Sequence, residues 1–89
     1  MTHSNIKSTR NLLSDIKRIR KCYDLYQYDD NQAIVKLNNL TFEEDFYQVT
    51  AINENVNDAF VMATTSDLML GLDDLVFYLE GTLAMLEDF

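Results

Sequence analysis

The sequence contains no proline and no tryptophan, and only two glycines, one histidine and one cysteine in 89 residues. The lack of proline argues against a linker or a recognition tail, and a hydrophobic content of 47% is too high for a disordered chain. The lone Cys22 cannot form an internal disulfide, and no apolar run follows the first cations, so no signal peptide is expected. We expect a single cytoplasmic domain over residues 1–89, with residues 1–7 as a frayed tail.

The scarcity of reactive side chains also argues against catalysis. His3 and Cys22 are nineteen positions apart, whereas covalent catalysis needs a nucleophile beside a base, and a zinc site needs three or four close ligands. The segment 29–31, Asp-Asp-Asn, lacks the central Gly and closing Glu of an EF-hand loop. The apolar region 68–86 is interrupted by three carboxylates, which predicts no membrane span. We therefore expect no enzyme, no cofactor, no metal and no membrane partner.

The basic residues are confined to one end of the chain. Six of the seven lie in residues 1–21, whereas residues 37–89 contain eleven acidic residues and no Lys or Arg. Cations along a helix are a feature of nucleic-acid binding, but the net charge of −8 repels a polyanion, so we expect no direct nucleic-acid partner. The other interpretations are a solvated face, or pairing with the acidic half of the same or a neighbouring subunit.

Two segments have the periodicity of amphipathic helices. A helix from about residue 8 to 26 is predicted by an apolar stripe at steps of four and three, consisting of Leu12, Ile16, Ile19, Tyr23 and Tyr26. A second helix is predicted from Asp67 to about Glu87, with Ser66 as its N-cap. Its core stripe consists of Leu68, Leu72, Leu75, Leu79, Leu83 and Leu86.

The middle of the chain is rich in β-branched and aromatic residues and is predicted as strands. Runs at 34–37 and 40–42 flank Asn38-Asn39, and Asn tolerates the positive φ of a tight hairpin. One long strand is an alternative here, as is a short helix beginning at Phe42, because Thr41 and Glu44 have the spacing of a capping box.

Runs at 46–52 and 59–64 are also predicted as strands. Short polar loops between successive strands favour antiparallel pairing over the long crossovers that parallel strands need. The predicted fold class is therefore α+β, of order α-β-β-β-α, with a three-stranded antiparallel meander and two packed helices.

A second apolar row, Leu70, Phe77 and Ala84, recurs every seven residues on the far side of the second helix. One sheet cannot cover both faces of a helix, so this row predicts self-association as a homodimer, or a partner interface. The alternative is that the first helix or a loop covers the row within the monomer. A glycine beside an apolar row, such as Gly71 or Gly81, often allows another backbone to approach closely.

The acidic side chains also follow a regular spacing on the second helix. Asp73, Glu80 and Glu87 are separated by seven residues, which places their carboxylates about 10.5 Å apart along the helix. A carboxylate surface without cations can substitute for a phosphate backbone in the groove of a DNA-binding protein, although acidic surfaces also serve solubility. The residues predicted to face a partner are Asp73, Asp74, Glu80, Glu87, Asp88, Glu43, Glu44 and Asp45.

Two functional hypotheses follow from these patterns. The first is an inhibitor or decoy, of the DNA-mimic type, that binds a basic nucleic-acid-binding protein or nuclease. In composition, the chain is similar to the acidic antagonists that phages and mobile elements use against host nucleases and DNA-binding proteins. The second hypothesis is a chaperone, antitoxin or immunity-type protein that recognises one cognate polypeptide through an apolar helix face. An enzyme subunit is a third class, for which the chain lacks reactive groups.

Overall fold

The computed structural model describes residues 2–88, with side chains from residue 4 onward, and this part of the chain contains five α-helices and no strand. The helices are α1 (Thr2–Asp24), α2 (Asp30–Leu40), α3 (Glu44–Ile52), α4 (Glu54–Thr65) and α5 (Leu68–Glu87). They pack into a bundle of 38 × 21 × 19 Å in which α5 lies against α1 and α4. The predicted α+β fold with its three-stranded meander is therefore wrong.

The two predicted helices are both present, with shifted ends. α1 buries the first three members of its stripe, whereas Tyr26 lies beyond the helix and is exposed. Asp67, rather than Ser66, is the N-cap of α5, because its carboxylate accepts a hydrogen bond from the Leu70 N–H at 3.0 Å. Residues 2–7 are helical, and their fraying stays a prediction; Met1 lies outside the described residues.

A capping box starts α2 in the segment that was predicted to be a hairpin. The Asp29 carboxylate accepts from the Gln32 N–H at 2.8 Å, and the Gln32 side chain accepts from the Asp29 N–H at 2.9 Å. Both bonds satisfy backbone donors that a helix leaves unpaired in its first turn. The helix then continues through Asn38 and Asn39 to Leu40, which excludes the hairpin and the long strand.

The proposed capping box at Thr41 and Glu44 does not form. α3 begins at Glu44, and its N-cap, Glu43, makes no side-chain cap bond. The Thr41 hydroxyl instead donates to the Asn38 carbonyl at 2.7 Å, at the end of the preceding helix. The short-helix alternative for this region is therefore correct in type, but the helix begins two residues later and runs through the predicted strand at 46–52.

Asn53 forms the corner between α3 and α4 and links that corner to α5. It ends α3 and is the N-cap of α4, where its side-chain oxygen accepts from the Asn55 N–H at 3.1 Å. Its Nδ2 donates to Oγ1 of the buried Thr82 at 3.0 Å. This one side chain therefore satisfies polar groups on two helices. The helix α4 that it caps occupies the segment predicted as the strand 59–64, so that strand prediction is wrong.

The spacing of the buried residues explains why the middle of the chain is helical. The buried side chains of α2 are Ala33, Leu37 and Leu40, and those of α4 are Val56, Ala59, Phe60 and Ala63. Steps of three and four place such residues on one face of a helix, whereas a strand would send them to both faces. Burial of these faces against α1 and α5 outweighs the β propensity of the individual residues.

α4 and α5 approach closely at Gly71. A Cβ built on Gly71 overlaps the backbone and Cβ of Ala63, so only glycine fits at this point of the α4–α5 contact. Gly81, ten residues along α5, has no such neighbour, because a Cβ there meets nothing within 4 Å. The close approach expected of a glycine is therefore found at Gly71, inside the molecule.

The two glycines predict opposite effects of the same substitution. Gly71→Ala should lower the free energy of unfolding by about 1–3 kcal/mol, because the added methyl group forces the two helices apart. Gly81→Ala should raise it by about 1 kcal/mol, because alanine is the better helix former and the space is open. Urea denaturation followed by circular dichroism measures both changes, and equal effects of the two variants would contradict this packing.

Candidate functional site

Three ion pairs join α1 to α5. Residue numbers rise along α1 as they fall along α5, so the two helices run antiparallel. The pairs are Arg10 with Glu87 at 2.6 Å, Lys17 with Glu80 at 4.0 Å, and Arg20 with Asp73. We refer to these six residues as the α1–α5 ladder.

The ladder changes the interpretation of both charged segments. Three carboxylates that were predicted to face a partner (Asp73, Glu80 and Glu87) instead pair with cations of the same chain. Of the interpretations of the basic segment, pairing within the subunit accounts for Arg10, Lys17 and Arg20. The Asp73 Oδ1 atom is shielded from solvent and makes no hydrogen bond of regular geometry. The positive charge of the Arg20 guanidinium is therefore what mainly offsets the cost of shielding this oxygen from water.

The other predicted carboxylates have no such partner. Across the described chain, ten of the fifteen acidic side chains lie more than 4 Å from every Lys or Arg nitrogen. Asp74 and Asp88 are among them on α5, and three more lie at the start of α3, namely Glu43, Glu44 and Asp45. The predicted partner-facing set is therefore divided between the ladder, the α4 side of α5 (Asp74), the end of α5 (Asp88) and the start of α3.

The second apolar row lies on the outer side of α5 and is exposed. Leu70 is 47% exposed and Phe77 is 71% exposed, and Ala84 is also exposed. No described residue covers these side chains as a core would, so the alternative of a cover within the monomer is not realised. The Phe77 ring packs edge-to-face on Tyr78 at 5.5 Å between ring centroids, which supports the ring at the surface.

A shallow groove extends this row towards α3. Ile52 at the end of α3 lines it together with Phe77, Gly81 and Met85 of α5, and its volume is about 210 Å³. Ile52 and Met85 were not predicted as part of the site. The spacing of four from Phe77 through Gly81 to Met85 is visible in the sequence, but the contribution of Ile52 depends on how α3 packs. We refer to Leu70, Phe77, Ala84 and this groove as the α5 outer face.

Searches for related proteins returned no matching family model, curated protein or solved structure. Among the described residues, no three His, Cys, Asp or Glu side chains are placed to hold a metal ion. No described helix combines the length and the apolar character that crossing a bilayer requires.

Removal of ladder cations tests their unequal environments. Arg20→Met should lower the free energy of unfolding by about 1 kcal/mol, because it leaves the shielded Asp73 oxygen without its compensation. Lys17→Met should lower it by less than about 0.5 kcal/mol, because an exposed pair at 4.0 Å contributes little. Urea denaturation at low salt and in 1 M NaCl measures both. Equal losses, or a Lys17→Met effect that grows with salt, would contradict the ladder.

Proposed function

We propose that this protein is a non-enzymatic binding protein that holds one helical segment of a cognate polypeptide against the α5 outer face. The observation that carries the proposal is the exposure of Phe77 and Leu70 in a row that follows the length of α5. A partner helix with apolar residues at positions i, i+3, i+4 and i+7 matches such a row. This places the protein with the chaperone, antitoxin or immunity class, and the lack of paired cysteines supports a cytoplasmic location.

The charge around the α5 outer face supports the choice of a basic partner over a second copy of the chain. Asp88 is exposed at the end of α5 and Asp74 lies at the edge of the face towards α4, and neither has a Lys or Arg within 4 Å in the described chain. In a homodimer through this face, the Asp88 carboxylates of both copies, and the Asp74 carboxylates at its edge, would add negative charge around one interface without a Lys or Arg within 4 Å to offset it. Like charges at an interface oppose association, whereas lysines that flank an amphipathic helix of a partner would be attracted to these carboxylates. The predicted homodimer becomes one outcome of the test.

The decoy hypothesis is a second candidate. It is supported by the ten carboxylates that lack a cation, including the group at the start of α3. Against it, the regular row on α5 that would substitute for phosphates is paired with α1. The two candidates differ in what holds the partner, since a decoy binds chiefly through charge and loses its partner as salt rises.

Phe77→Asp should weaken binding to the α5 outer face at least tenfold, because a central aromatic anchor is replaced by a charge. The probe is a synthetic 18-residue helical peptide with a leucine stripe and lysine flanks, and fluorescence anisotropy measures its binding. Phe42→Asp is the matched control, because Phe42 is 80% exposed in the α2–α3 loop, outside the groove, and its replacement should leave binding unchanged.

Two results would contradict the proposal. Equal binding by the wild type and Phe77→Asp, with complete loss of binding at 0.5 M NaCl, would favour the decoy. Sedimentation of the wild type as a dimer that Phe77→Asp converts to a monomer would show that a second copy occupies the face. Circular dichroism of each variant checks that the fold is kept.

A further inference from the structure

A cleft of about 650 Å³ opens where α1 ends and α2 begins. It lies apart from the α5 outer face, and no residue lines both. Three tyrosines and three aspartates provide most of its lining: Tyr23, Tyr26, Tyr28, Asp24, Asp29 and Asp30. Aromatic rings combined with carboxylates are the surfaces that proteins use to bind organic cations.

Tyr26 stands at the rim of this cleft and has an uncommon backbone conformation. The end of α1 is a Schellman motif, in which the Gln27 N–H donates to the Cys22 carbonyl at 2.8 Å and the Tyr26 N–H donates to the Tyr23 carbonyl at 3.1 Å. The residue at the turn has a left-handed φ of 59° and is normally glycine, yet here it is a tyrosine that is 95% exposed. Its ring makes little contribution to the core, and the backbone would favour glycine.

The cleft has a negative field. The Tyr23 hydroxyl donates to Asp30 Oδ1 at 2.7 Å. This hydrogen bond raises the pKa of Tyr23, with smaller contributions from desolvation and from the charges of Asp30, Asp24 and Asp67. No Lys or Arg is among the residues that line the cleft in the described chain, although Arg20 reaches Asp24 at 3.7 Å from outside it.

The chain itself places a cation on one of these rings. Lys36 Nζ lies 5.8 Å from the centroid of the Tyr28 ring, within the range of a cation–π contact. Lys36 lines the neighbouring groove, and Tyr28 borders both that groove and the cleft. Tyr28 thus already interacts with a positive charge from the neighbouring groove, and Lys36 is not among the residues that line the cleft.

We infer that this cleft receives an arginine side chain of a polypeptide. A guanidinium is planar, so it stacks on tyrosine rings while its N–H groups donate to carboxylates such as Asp29 and Asp30. A lysine ammonium is more strongly hydrated and cannot stack in this way. This inference does not depend on the proposed function, because Phe77 and its groove contribute no residue to the cleft.

The test is an NMR titration of the ¹⁵N-labelled chain with acetyl-Gly-Arg-Gly-amide. Saturable shifts should appear at residues 23–31, and the same peptide with Gln or Lys at its centre should bind more weakly. Tyr26→Gly should weaken arginine binding about fivefold, because it removes one ring from the cleft. Asp30→Asn should weaken it about threefold, because it removes one negative charge. Glycine suits the left-handed turn, so the Tyr26→Gly variant should fold at least as stably as the wild type.

Tyr47→Ala, which removes an exposed ring on α3, is the control and should leave the titration unchanged. Equal binding of the Gln peptide would show that the cleft does not select a cation. Equal binding of the Lys peptide would overturn the arginine assignment, and tighter binding of methylguanidinium than of the peptide would identify a small cation as the ligand. Unchanged binding by Tyr26→Gly would show that the Tyr26 ring does not contribute to binding, and it would overturn the inference.

Discussion

The antiparallel packing of α1 against α5 is the contact on which the rest of the structure depends. The two longest helices bury their leucine and isoleucine stripes together, with Leu12, Ile16, Leu72, Leu75 and Leu79 at no more than 1% exposure. The three shorter helices complete the core around this pair. Because α5 turns one face to α1 and another to α4, its remaining side can only face outward. The α5 outer face is thus a consequence of the fold.

The packing of α1 against α5 also brings together charges that are far apart along the sequence. In sequence, cations gather at one end and carboxylates at the other, which suggests two surfaces for two kinds of partner. In three dimensions, the antiparallel register brings part of each group together in the ladder. Exposed pairs of this kind contribute little stability, but they remove a regular row of negative charge from the surface. An apolar face with a few free carboxylates is what remains on α5.

Two of the five described helices could be predicted from sequence, whereas the predicted α+β fold was wrong, and the errors have a physical cause. The stripes of α1 and α5 are long enough for their period to identify both helices. In the middle, Val, Ile, Phe and Tyr favour strands by propensity, while the spacing of Ala33, Leu37 and Leu40 is helical. Propensity is the weaker guide, because burial of a whole face contributes more than single-residue preferences. The Asp29 and Gln32 capping box was a further signal in the sequence.

The amino-acid sequence alone identifies a small acidic chain, two amphipathic helices, and an apolar row on the second helix that lies opposite its core stripe. Those features depend on composition and on spacing along one helix. The packing of the helices against one another then settles which carboxylates lack a cation, that Ile52 joins the groove of Phe77, and that tyrosines and aspartates meet at the end of α1. Each of these is a contact between elements, and its partners depend on the register and rotation of packed helices, which spacing within a single helix does not specify.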